Sequence, residues 1–214
     1  DMSEFILAFQ SDGGEEFQQI LKKWHESKKI YWLVALMSQL EAKSPEFASL
    51  SAEAEKVPST SPAYLHLQYC LAALEFDRGD KDKVKARCQK ILTDKTLALP
   101  PGTRNQFMVL RSKVSNSFPD FLQYALQRPV AIESGWSGCE LPTEFEKVEA
   151  RADYEQLKPA FPNDVTAFLN TEAPVTLLKS IPSISGLPAQ LKSDSLQSLW
   201  VRCFILKDFK TLDS

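Results

Sequence analysis

Apolar positions recur along this chain at the three- and four-residue spacing of a helix face. Leu67, Cys70, Leu71 and Leu74 stand at i, i+3, i+4 and i+7. After a Gly79-Asp80 turn, Val84, Cys88, Ile91 and Leu92 resume the same spacing, which predicts a helical hairpin from Ser61 to Leu92. Phe17, Ile20, Leu21 and Trp24 form an earlier stripe, and Leu33, Leu36, Met37 and Leu40 form the next. The short polar link between these two stripes predicts an antiparallel pair over 15–41. Phe107, Leu110 and Val114, followed by Phe118, Phe121, Leu122 and Ala125, predict a third pair over 101–127.

Start and stop signals frame these stripes. Glu15 and Glu16 open the first helix while Lys22, Lys23, Lys28 and Lys29 gather near its end, an order that complements the helix dipole. Ser44-Pro45 and Ser61-Pro62 each place a capping hydroxyl before a proline, the first opening a shorter helix through Glu55. Gly79 fits the left-handed residue that ends a helix, and Asp80 fits the cap of the next. Pro100-Pro101 marks another start, and Arg128-Pro129 a stop.

Residues 129–162 read as a long irregular connection holding one polar surface helix near Phe145 to Leu157. Helical pattern returns over 163–214. Asn163 is placed to cap a helix with Val165, Phe168 and Leu169 behind it, and Pro174 to Lys179 adds further turns. Leu187-Pro188 opens the last helix, where Leu196, Leu199, Trp200, Cys203 and Phe204 form a continuous apolar stripe. That helix is apolar enough to want a partner. No segment alternates with period two for long enough to be a strand, so the class is all-α.

Composition narrows the function. Hydrophobic residues are 43% of the chain and charged ones 25%, a globular balance. The 25 basic and 28 acidic side chains are interleaved with no basic stripe, so nucleic acid is not an indicated partner. No apolar run has the length of a membrane span. The sequence opens on neither a signal peptide nor a usual initiator, and both ends predict a segment of something longer.

Candidate chemistry is sparse. Among the cysteines, Cys70, Cys88 and Cys203 fall on helix stripes and read as small core residues. Cys139 sits apart in a Gly-Trp-Ser-Gly-Cys turn, and a thiol nucleophile there would need a base, with only His25 and His66 to supply one. No CxxC or Cys/His spacing points to a metal, and no cofactor is implied. A carboxylate acid catalyst would need burial in an apolar pocket. Glu75 is the one candidate, read otherwise as the exposed flank of its hairpin. Glu144 to Lys158 reads as a solvated helix face laced with i, i+4 pairs. Tyr31, Trp32, Tyr69 and Trp136 lie off the main stripes and are the candidate partner-binding anchors.

The layout of 61–92 resembles one tetratricopeptide-type unit. The turns near 28, 80 and 116 share no strict period, so the expected fold is a degenerate tetratricopeptide-like helical hairpin array, an α-solenoid, over 1–128. The C-terminal helices of 163–214 are expected to pack on that array or continue it. Stacked hairpins of this kind bury their faces on one another and leave a curved surface for other polypeptides. Phe5 to Gln10, Leu21-Lys22-Lys23-Trp24, Trp32 to Leu36, Ser61 to Tyr64, Leu99 to Asn105, Asp120 to Ala125 and residues 161–206 are together similar to large bacterial repeat proteins, many of them exported. That resemblance carries packing and capping residues only. It implies a helical scaffold without enzymatic activity that joins other protein subunits, in the periplasm or cell envelope of a bacterium. The competing expectation is a helical enzyme, a thiol or carboxylate hydrolase acting for example on glycans.

Overall fold

A computed structural model describes residues 14–128, 159–208 and 210. The described residues are all-helical, with ten α-helices and no strand. Gln127 and Ala160 form an isolated antiparallel bridge with two backbone hydrogen bonds of 2.9 Å. The chain divides into two compact units that meet in sequence at Leu99 and Pro100.

The first unit holds α1 (Gly14–Ser27), α2 (Ile30–Gln39), α3 (Phe47–Glu55), α4 (Tyr64–Asp77) and α5 (Lys81–Thr93). α1 pairs with α2, and α4 with α5. Lys28 turns the chain between α1 and α2 in the left-handed region, at φ 51°. Gly79 does the same between α4 and α5 at φ 80°, where an L side chain would be strained. α3 is an extra helix lodged against both α2 and α4. Ile20, Trp24, Leu33, Leu36, Leu50, Leu67 and Leu71 form the shared core.

α4 is the middle of this unit, packed against α2, α3 and α5. It therefore buries more than one stripe: Tyr64, Gln68, Ala72 and Glu75 are inside along with Leu67, Cys70, Leu71 and Leu74. Two expected caps work differently. Ser61 Oγ accepts from the Ala63 N–H at 3.3 Å, so it closes the turn before the helix, which begins three residues later at Tyr64. Asp80 makes no side-chain cap, and its carboxylate instead accepts from Lys83 Nζ at 3.1 Å.

The second unit holds α6 (Pro101–Lys113), α7 (Phe118–Ala125), α8 (Asn163–Ala167), α9 (Val175–Ser180) and α10 (Ala189–Leu206). α8 runs on into a π-helical turn, Phe168–Glu172, and α9 into a 3₁₀ turn, Ile181–Ser183. Ser117 caps α7 by accepting from the Asp120 N–H. Asp120 in turn grips Arg111 of α6 through bonds of 2.8 and 3.1 Å, which fixes the α6–α7 turn. Leu122 and Ala125 of α7 share one core with Val165, Leu169, Leu178, Ile181, Leu199 and Cys203.

The 101–127 pair shares this core with the C-terminal helices, because the apolar face of α7 is covered by residues after 163. α7 also ends at Ala125, before the expected Arg128-Pro129 stop, and the chain leaves extended into the Gln127 bridge. Most of the 129–162 connection lies outside the described residues, as does the surface helix expected within it.

Candidate interaction surface

α10 is anchored by a line of small and branched side chains at every fourth position. Ser195, Leu199 and Cys203 are buried in the second core, and the Ser195 hydroxyl turns back to the Leu191 carbonyl at 2.7 Å. The helix ends at Lys207, which adopts the left-handed conformation at φ 57° and donates its N–H back to Phe204. Its opposite side does not follow the expected stripe. Leu196, Trp200 and Phe204 are 45%, 57% and 58% exposed, and Val201, Ile205 and Leu206 are exposed beside them. Trp200 and Phe204 stack on one another with centroids 5.7 Å apart.

The expected single stripe is thus two lines on two faces. Leu199 and Cys203 face the core, whereas Leu196, Trp200 and Phe204 face outward. Six large apolar side chains exposed on one helix exceed the singly scattered exposures of an ordinary surface. Leaving that much in water forgoes burial worth about 25 cal/mol per Å². Sequence already carried a signal for this: from Leu199 to Leu206 only Arg202 is polar. Such a run covers the whole circumference of a helix, and one core can cover only one side.

Next to this face is a cavity of about 500 Å³ between the α8–π segment and α10. Phe161, Leu169 and Val201 give it apolar walls, and Asn170, Asp194 and Ser198 its polar ones. The polar groups are occupied with each other and with α10. Ser198 Oγ donates to Asn170 Oδ1 at 2.6 Å, Gln190 donates to Asp194 at 2.8 Å, and Arg202 donates to the Ala173 carbonyl. No nucleophile and base meet there.

The sequence-predicted site residues are scattered. Trp32 is 3% exposed, a core residue packed at 5.0 Å from Tyr31 and covered by Lys23. It corrects the reading of Trp32 as an exposed anchor: α2 is covered by α1, α3 and α4, so its off-stripe face is buried too. Tyr31 is half-buried at the edge of the same core, and Tyr69 is half-buried on α4. Trp136 and Cys139 lie outside the described residues.

Glu75 is neither an exposed flank nor an acid in an apolar pocket. It is buried on α4 against Arg87, whose Nη2 donates to it at 2.7 Å. His66 stands near a thiol, with Nε2 3.5 Å from Cys70 Sγ and 2.8 Å from Ser38 Oγ. Burial pushes the Cys70 thiol up to about 11, only partly offset by Ser38, so the thiolate that attack requires is scarce at neutral pH. Among the described residues no cluster of three or more His, Cys, Asp or Glu is placed to hold a metal. No described helix is long and apolar enough to cross a membrane.

No family model matches the chain, and no curated protein and no solved structure is similar to it.

Proposed function

We propose that this chain is a non-enzymatic helical scaffold, a degenerate tetratricopeptide-like array whose outer face on α10 joins it to other protein subunits. The observation that carries this reading is the exposed line Leu196, Trp200 and Phe204 on a helix whose other side is locked in a core. A rigid helix with aromatic side chains turned outward has the makings of a protein-binding hot spot, because its ordering cost has been met by folding. The resemblance of its packing and capping residues to those of exported bacterial repeat proteins favours a cell-envelope or surface assembly as the setting. An enzymatic reading has less behind it: Glu75 is clamped by Arg87, and the thiol beside His66 holds its proton.

The test is a Trp200→Glu, Ile205→Lys chain compared with the native chain in its source. Native mass measurement of the assembly should show the substituted chain lost from it, with an unchanged helical circular dichroism melt. An assembly that retains the substituted chain would overturn the reading.

A further inference from the structure

We propose that the cavity between the α8–π segment and α10 binds a short apolar peptide of about three residues by both free ends, its carboxylate on Arg202 and its ammonium on Asp194. This inference goes beyond the docking role of the outer α10 face and does not depend on it.

The π turn builds one wall of the cavity. It is closed by the Ala173 N–H, which donates back five residues to the Phe168 carbonyl at 2.8 Å. Widened turns of this kind recur at functional sites. Here the carbonyl that follows the turn, on Ala173, accepts from Arg202 Nη1 and so fixes the guanidinium in place. Arg202 Nε and Nη2 have no other partner among the described residues. Those two nitrogens form the edge of a guanidinium that grips a carboxylate through two parallel bonds.

Asp194 supplies the opposite charge. Its Oδ1 accepts from Gln190 at 2.8 Å, and its Oδ2 has no partner among the described residues. Asp194 and Arg202 are the charged residues that line the cavity, and neither makes an ion pair among the described residues. An unpaired cation and an unpaired anion around one space select a ligand that carries both charges. A lone anion would meet Asp194, and a lone cation would meet Arg202.

Separation sets the ligand's length. Residues 194 and 202 stand on one helix about 12 Å apart along its axis, at 1.5 Å per residue. The two ends of a single amino acid are too close together to reach both. Three extended residues span about 10–11 Å, at about 3.3–3.6 Å each. Between the charges, Phe161, Leu169, Leu191 and Val201 offer apolar walls to the side chains. A volume of about 500 Å³ lies within the roughly 300–1,000 Å³ of small-ligand pockets.

Isothermal titration calorimetry of the chain with trileucine tests this. One site per chain is expected, with a Kd between about 10 µM and 1 mM. Asp194→Asn and Arg202→Gln should each weaken binding about tenfold or more, with unchanged circular dichroism melts. N-Acetyl-trileucine should bind the native chain as weakly as trileucine binds Asp194→Asn, because each removes the same contact from a different side. Trileucine amide should likewise match the Arg202→Gln result. Asp194 is exposed, so its arm stands even where Arg202→Gln loosens the π turn. The proposal is overturned by a titration with no saturable site up to about 10 mM, just beyond the millimolar end of weak binding. It is overturned equally by binding that neither substitution changes, or by blocked peptides that bind as tightly as the free one.

Discussion

Arg87 and Glu75 meet across the α4–α5 hairpin through two hydrogen bonds, Nε to Oε2 at 3.0 Å and Nη2 to Oε1 at 2.7 Å. The same guanidinium donates to Gln68 on α4 at 2.6 Å and to Glu55 on α3. Burial alone would lower the affinity of Arg87 for its proton, but the bonds to Glu75 and Glu55 outweigh it and push the pKa up. One side chain from α5 therefore clamps three helices. It also explains how the central helix of the unit tolerates Gln68 and Glu75 indoors: each has a donor.

Arg87→Met should be among the most costly single changes in the first unit. It leaves Glu75 buried with no cation and Gln68 with no donor, a loss of about 3–5 kcal/mol by the usual cost of breaking a buried pair from one side. Replacing both partners, as in R87M/E75L, should recover much of that loss, since no orphaned charge remains. Urea unfolding of the two variants checks both statements, and an R87M midpoint equal to the native one would refute the clamp.

Acid should weaken the same clamp from its outer side. Hydrogen bonding to Arg87 holds the Glu55 carboxyl below its ordinary value of 4.5, against the smaller opposing effect of burial. A carboxyl lowered in the folded state adds stability that is fully present above its unfolded value and is lost as pH falls through its folded one. Stability contributed by Glu55 should thus be flat above about pH 5 and decline below it. Because Glu55 is about half exposed, the effect is modest and screened by salt. Urea midpoints of native and Glu55→Gln chains should converge between pH 5 and pH 3, and parallel curves would contradict this account.

Two leucines three residues apart on α10 should behave oppositely. Leu199 is 6% exposed in the second core and Leu196 is 45% exposed outside it. Leu199→Ala opens a cavity and should cost about 2–4 kcal/mol. Leu196→Ala removes a half-solvated side chain and should cost under about 1 kcal/mol. Equal costs in thermal or urea unfolding would mean that the two faces of α10 are not divided as described.

That division is also where sequence reading was weakest. Helix existence was legible because stripes such as Leu67, Cys70, Leu71 and Leu74 have one period and clear stops, and Gly79 was legible because only its backbone freedom suits the turn. What a stripe cannot state is what lies on its other side. Trp32 sat off its stripe and looked free, yet α2 is covered on several sides and encloses it. Trp200 and Phe204 sat on the stripe and looked buried, yet only Leu199 and Cys203 reach the core. The caps failed for a related reason. Ser61 and Asp80 had alternative hydrogen-bond partners close by, and local bonds to Ala63 and Lys83 prevailed. The Arg87 clamp was illegible because its partners lie 12, 19 and 32 positions away.

Cys70 and His66 give the last prediction, since their 3.5 Å approach is the nearest thing to catalytic geometry among the described residues. The Ser38 hydroxyl lies 2.9 Å from the Val34 carbonyl and shares a 2.8 Å hydrogen bond with His66 Nε2, so the ring nitrogen beside the thiol has a nearer partner than the sulfur. With its pKa raised to about 11 by burial, Cys70 has on the order of 100-fold less thiolate at neutral pH than an ordinary cysteine. Iodoacetamide at pH 7.5 should accordingly leave Cys70 unmodified in the folded chain over times that fully label it in urea, read by peptide mass spectrometry. Ser38→Ala should not turn it into a fast-reacting thiol, because desolvation and not the hydroxyl sets its pKa. Labelling of the folded chain at the rate of a free cysteine would show an ionised thiol and reopen the hydrolase reading.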